Sequence, residues 1–215
     1  MTDETILKDA WSGLVYDALL DVAGIDGAID QAPAPIQQGM VCYGPAFPVF
    51  GSDTDDATAD ETLLAWTDML SRTPEGSVLL ITAEMRRQRA LMGELSSEAL
   101  LRRGVRGAIV DGAVRDCGAI RDLGFPVFGR GRTPRDVVAS WMPRTLGEPV
   151  TLGGVHIAPG DMLFADDDGL VSVPADHWPA VLRRAGEMMT AENLVRTGIR
   201  QGMTAHDAYL AHRKF

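Results

Sequence analysis

One stretch limits what this chain can fold into more than any other: residues 93–116, GELSSEALLRRGVRGAIVDGAVRD. It predicts a helix starting at Gly93 and Glu94, with Leu95, Ala99 and Leu100 at i, i+4 and i+5 on one face. Gly104 is placed to end that helix in a left-handed cap. Val105 to Val110 follows as a short apolar run rich in β-branched residues, the pattern of a strand buried on both faces. Asp111 and Gly112 stop it, and Arg115 and Asp116 come just past its C-terminal end. In open α/β sheets, ligands are held at that end. The segment therefore predicts helix, buried strand and then a polar loop carrying a cation and a carboxylate.

The rest of the chain is compatible with that unit. Residues 9–24 predict an amphipathic helix with Trp11, Leu14, Val15, Ala18 and Leu19 on one stripe, and residues 25–39 predict a loop. Val41 to Phe50 predicts a strand interrupted at Gly44-Pro45. The acidic run 52–61 leads into a helix through Leu63, Leu64, Trp66, Thr67 and Leu70, and Pro74-Glu75-Gly76 predicts a turn. Ser77 to Ala83 predicts a buried strand, and residues 84–92 a loop or irregular helix. A short helix, CGAIRDLG, with Asp116 as its N-cap, then a strand from Phe125 to Phe128, follow the central unit. Residues 129–136 are a basic loop, residues 148–174 a β-meander, and Pro179 opens a long helix ended by Gly202, with a tail helix at 204–213. Alternating strands and helices followed by clustered strands predict an α/β fold with a mixed sheet in a single domain spanning 1–215.

Charge and residue usage narrow the function. The net charge of −10 argues against a nucleic-acid surface. No apolar run approaches bilayer length, so no membrane partner is expected. The opening MTDETILKDAW has neither a basic nor an apolar leader region, and the two cysteines, Cys42 and Cys117, form no disulfide framework, so a cytoplasmic protein is expected. The lysines are Lys8 and Lys214 alone, both near the termini, which disfavours a Schiff-base mechanism needing a buried lysine. Arg115 suits a carboxylate or enolate oxygen, and Asp116 suits a hard divalent cation. Asp166-Asp167-Asp168-Gly169 lacks the acid spacing of a calcium loop and predicts a turn. The arginine groups 86, 87, 89 and 130, 132, 135 predict either a solvated face or readers of a second substrate carboxylate.

These residues carry a resemblance. Glu94, residues 95–114, then Arg115-Asp116 match a spacing of an acid, twenty residues and Arg-Asp. With VLLIT near 80 and GGVHIAPGDMLFADDDGLVSVP at 153–174, the chain resembles the aldolases that cleave 4-hydroxy-4-methyl-2-oxoglutarate and 4-carboxy-4-hydroxy-2-oxoadipate. Those enzymes share their fold with the RraA-type regulators of ribonuclease E. The resemblance covers about residues 10–203. It departs at Glu94, where the family often has Asp.

The resemblance implies an RraA-like layered α/β/α domain around a central mixed sheet, similar to the swivelling phosphohistidine domain. It implies homotrimers or homohexamers with sites between subunits. It implies a class II, metal-dependent carbon–carbon lyase that releases pyruvate from a 4-hydroxy-2-keto dicarboxylic acid, with oxaloacetate decarboxylation on the side. Arg115, Glu94 and Glu192 would be catalytic. Gly93, Glu94, Leu95, Ser96 and Arg115 would bind the keto acid. Asp116 would hold Mg²⁺ or Mn²⁺. Glu192 enters because the family places a glutamate about ten residues before the Gly closing this helix, and Glu192 lies on the apolar stripe Val181, Leu182, Ala185, Met188, Met189, Val195, Ile199. The competing expectation is a non-catalytic RraA-type regulator, and a third is a lyase of the same fold acting on another 2-keto acid.

Overall fold

The longest strand sets the sheet. In the computed structural model, which describes residues 3–213, β2 (Cys42–Asp53) follows a two-residue strand, β1 (Ala34–Pro35). One edge of β2 is shared: Cys42–Pro45 pairs antiparallel with β9 (Met162–Ala165), and Val49–Asp53 pairs antiparallel with β6 (Trp141–Leu146). Its other edge pairs in parallel with β3 (Val78–Glu84). β3 pairs in parallel with β4 (Gly107–Val110), and β4 with β5 (Val127–Gly129). β1 closes one side against β5, and β10 (Leu170–Val173) closes the other against β9, both antiparallel. The order is β1-β5-β4-β3-β2-β9-β10, with β6 branching from β2, a mixed sheet in an α/β fold.

Period-two alternation divides the sheet's apolar residues between two cores. Leu79, Ile81, Ala108 and Val110 point to the face covered by α3 (Ala59–Arg72), α4 (Glu94–Arg102) and α5 (Cys117–Leu123). Val78, Leu80 and Ile109 point to the opposite face, where Val150, Leu152 and Ile157 of the hairpin β7 (Val150–Leu152) and β8 (Val155–Ile157) cover them. The helices start where their sequences direct. Thr58 and Glu61 form a reciprocal capping box on α3, and Gly93 is the N-cap of α4.

These elements belong to one compact unit, residues 27–175. The second unit joins residues 1–26 to 176–215. It is helical: α1 (Asp3–Asp9), α2 (Ser12–Ala23), α6 (Trp178–Arg200) and α7 (Ala205–His212). α6 has Pro179 in its first turn and buries Val181, Leu182, Ala185, Gly186, Met189, Val195 and Gly198. A Cβ on Gly186 would lie 2.7 Å from Ile6 Cδ1, so the glycine lets α1 approach α6.

Several sequence expectations need correction. The helix predicted at 9–24 is α2, which starts at Ser12 with Trp11 as its N-cap, and α1 before it was not expected. β2 is not interrupted at Gly44-Pro45, since both residues keep their register with Leu163 and Met162. β6 was not expected; it carries Pro143 and pairs at β2's edge. The apolar face read on α4 is divided: Leu100 is buried, with Ser97, while Leu95 is 77% exposed. Ile199 is likewise exposed on α6. Residues 166–169 form the expected turn, with Asp166 Oδ1 accepting from the N–H groups of Asp168 and Gly169. Among the described residues, no helix is long and apolar enough to cross a membrane.

Candidate active site

Past the C-terminal ends of β3 and β4, three extended segments run side by side. The Ala90–Ala113 and Val114–Arg132 bridges are both parallel, and the Arg115 N–H donates to the Met92 carbonyl at 3.0 Å. This ladder fixes the backbone of Arg115 against that of Gly93. The Asp116 side chain turns back across it. Its Oδ2 lies 3.3 Å from the Glu94 backbone N–H and 3.4 Å from Arg115 Nε. Asp116 stands at the N-cap position of α5 but makes no side-chain cap there, contrary to the sequence expectation. Its backbone is left-handed, φ 55°, a conformation that costs a non-glycine residue about 1–2 kcal/mol and recurs at functional sites.

Gly93 is what makes this closure possible. A Cβ at that position would sit 2.8 Å from Asp116 Oδ2 and 3.3 Å from both Cγ and Nε of Arg115. No larger residue fits there without moving the pair. Arg115 is also gripped from its other end. Its Nη1 donates to Asp136 Oδ2 at 2.6 Å, while Asp136 Oδ1 accepts from the N–H groups of Val137 (2.7 Å) and Val138 (3.3 Å). Asp136 closes the basic loop and was not singled out from sequence, where it carried no periodic signal.

A cavity of about 540 Å³ opens over this arrangement. Gly93, Glu94, Leu95, Ser96, Arg115 and Asp116 all line it, so every candidate of the 93–116 stretch is brought together. Glu192 lies elsewhere in the chain, half-buried on α6 of the helical unit. Trp66, read from sequence only as part of a helix, also lines the cavity, and its indole N–H donates to Ser96 Oγ at 3.0 Å. The arginine clusters do not line it. Arg86 bridges Asp53 and Asp55, Arg89 donates to the Asp136 carbonyl, Arg130 to Asp111 and the Gln31 carbonyl, and Arg132 to the Ile36 carbonyl.

Of these residues, Asp116 is the carboxylate that could hold a hard divalent ion. Asp116 offers one carboxylate that is 45% exposed, with room for water and substrate oxygens, and the described residues hold no cluster of three His, Cys, Asp or Glu that would make an all-protein cage. Such ions bind through one or two carboxylates and keep several waters.

A family model described as RraA-like: Aldolase/RraA matches residues 12–172. The chain belongs to this family. A relative from Halalkalibacterium halodurans, named "Putative 4-hydroxy-4-methyl-2-oxoglutarate aldolase", is 30% identical over 91% of this chain and 88% of its own length. Protein DlpA of Legionella pneumophila is 31% identical over 92% of this chain, and that match spans 31% of DlpA. An uncharacterized protein of Pseudomonas syringae pv. tomato superimposes with a TM-score of 0.84 at 26% identity, covering 97% of this chain and 94% of that one. RraAS2 of Streptomyces coelicolor, described as an unusual member of the RNase ES inhibitor RraA protein family, superimposes at 0.78 with 28% identity over 90% and 96%.

Proposed function

We propose that this RraA-like protein is a divalent-metal-dependent lyase that cleaves a 4-hydroxy-2-keto acid to pyruvate. The observation that carries the reading is the closure of Asp116 and Arg115 over Gly93, where a Cβ would meet Asp116 Oδ2 at 2.8 Å, inside a cavity. The Halalkalibacterium relative's name agrees with it. Asp116 would hold Mg²⁺ or Mn²⁺, and the ion, when bound, supplies Lewis-acid polarisation of the substrate's 2-keto group. Arg115 binds the keto acid's carboxylate and adds positive charge where the enolate oxygen develops. Asp136 and Asp116 hold its guanidinium in place for that task, so no reorganisation is needed as charge appears. The Gly93, Leu95 and Ser96 backbone N–H groups, at the start of α4, favour the same anion. Glu94 and Glu192 are the carboxylates assigned to proton transfer through water.

The likeness to RraAS2 supports a second reading, a protein that acts by binding a ribonuclease. Oxaloacetate separates the two, because its decarboxylation passes through the same pyruvate enolate. The test is pyruvate release from oxaloacetate and from 4-hydroxy-2-keto acids, with and without Mg²⁺ or Mn²⁺. Metal-dependent release is expected. If no pyruvate appears from any of them with either ion, the protein is not this lyase.

A further inference from the structure

We infer that Arg89 is a positioning residue: it holds Asp136 from outside the cavity, and through Asp136 it aims the guanidinium of Arg115. The inference rests on the lyase reading above and adds a residue to its machinery. Arg89 does not line the cavity over Gly93. Its Nη1 donates instead to the backbone carbonyl of Asp136 at 3.2 Å, and Asp136 Oδ2 accepts from Arg115 Nη1 at 2.6 Å. A charged donor on a carbonyl makes a stronger bond than a neutral one.

The backbone places Arg89 between the two halves of that ion pair. The Arg89 carbonyl accepts from the Ala113 N–H at 3.2 Å, two residues before Arg115. The next residue, Ala90, donates its N–H to the Arg135 carbonyl at 2.9 Å, one residue before Asp136. One dipeptide therefore joins the segment that carries the cation to the segment that carries its carboxylate, and the Arg89 side chain adds a bond at Asp136 itself. Pro134 and Arg135, just before Asp136, are exposed, and Asp136 Oδ1 bonds forward along the chain, to the N–H groups of Val137 and Val138. Those forward bonds tie the carboxylate to its own loop, so a shift of the loop carries Oδ2 away from Arg115. The Asp136 carbonyl is the point at which Arg89 holds that loop still.

The experiment measures oxaloacetate decarboxylation with Mg²⁺ or Mn²⁺, and amide hydrogen exchange of the metal-free protein. It compares the parent, Arg89→Met, Arg89→Lys, Asp136→Ala and the double variant of Arg89→Met with Asp136→Ala. Arg89→Met keeps the apolar stem and deletes the donor. It also deletes Nε, a buried donor with no hydrogen-bond partner among the described residues, so its melting temperature should hold. Its kcat should fall by about tenfold to 10²-fold with KM changed less, the scale of a small misplacement at a reacting centre. Arg89→Lys still carries a charged donor and should recover most of that loss. On top of Asp136→Ala the methionine should cost little more, because its route to Arg115 is already gone. In the metal-free protein Arg89→Met should speed exchange at Val137 and Val138, and leave β4 as in the parent.

A parental kcat in Arg89→Met overturns the inference, and so does a loss that adds fully to that of Asp136→Ala. Faster exchange that reaches β4, or a loss of activity that lysine does not restore, makes Arg89 a residue of the fold alone and overturns it as well. Should Arg89→Met not fold, Arg89→Gln takes its place under the same outcomes, since its amide ends at the level of Nε and falls short of the carbonyl. A parent that releases no pyruvate from oxaloacetate or from 4-hydroxy-2-keto acids removes the lyase reading and the inference together. An active parent with an unimpaired Arg89→Met removes the inference and leaves the lyase reading standing.

Discussion

Arg115 is held at two points, by Asp136 at 2.6 Å and by Asp116 at 3.4 Å, and on the lyase reading its value lies in that fixed fork. Arg115→Lys keeps the charge and loses the planar donor pair. It should lower kcat for oxaloacetate decarboxylation by about 10²–10³, roughly 3–4 kcal/mol of transition-state stabilisation. Asp116→Asn should raise the metal concentration needed for half-activity, measured by Mg²⁺ titration of the rate. Both side chains are at least a third exposed, so melting temperatures should change little. Gly93→Ala tests the closure itself. Its Cβ displaces Asp116 or Arg115, and a shift of about 1 Å at such a site costs up to about 10²-fold in rate. A Gly93→Ala enzyme with parental kinetics would show that the pair can move freely. The Arg-Asp pair was legible in sequence because it follows a strand. Asp136 was not, because its role depends on a ladder joining residues 90, 113–114 and 132 that no local period encodes.

At the scale of elements, α3 forms one side of the cavity, and its start is set by the Thr58–Glu61 capping box. Hydrogen bonds from the Thr58 backbone N–H and then its hydroxyl hold the Glu61 carboxyl below the usual glutamate range. A carboxylate with a depressed folded pKa stabilises the fold above its unfolded pKa, near 4.3, and loses that contribution as pH falls through the folded value. Glu61→Gln should therefore melt below the parent at pH 7, and the gap should close as pH drops below about 4. A gap that is constant with pH would mean the charge on Glu61 adds nothing. The main strands and helices were legible because apolar runs and caps are local signals. β6 was missed for a physical reason: WMPRTL shows no alternation, since its pairing with β2 is fixed by Trp141 filling the space over Gly51. A Cβ on Gly51 would lie 2.0 Å from the indole. That contact joins residues 90 apart in sequence, and it seats Trp141 against Trp66 beneath the candidate site.

For the molecule as a whole, lysine placement and assembly decide the chemistry. Lys8 is exposed on α1, and Lys214 lies outside the described residues. Borohydride with pyruvate should leave the mass of the protein unchanged, while chelator abolishes turnover; a reduced covalent adduct would replace the metal mechanism with an imine one. Glu192 raises the question of assembly. It sits on α6, and the same helical unit exposes Leu194, Ile199, Tyr209 and Leu210, a surface suited to contact with another copy of the chain. We expect a trimer or hexamer in which Glu192 of one subunit serves the Arg115 of another. Two impaired variants test this directly. If the site is shared, dissociating and remixing Arg115→Lys with Glu192→Gln creates sites in which one chain supplies an intact Arg115 and its neighbour an intact Glu192. Random cyclic assembly makes about one quarter of sites intact in this sense. Activity recovered to that fraction of the parent, with mass photometry showing mixed oligomers, is the expected outcome. Mixed oligomers no more active than the separate variants would place Glu192 with its own chain's site or outside the chemistry altogether.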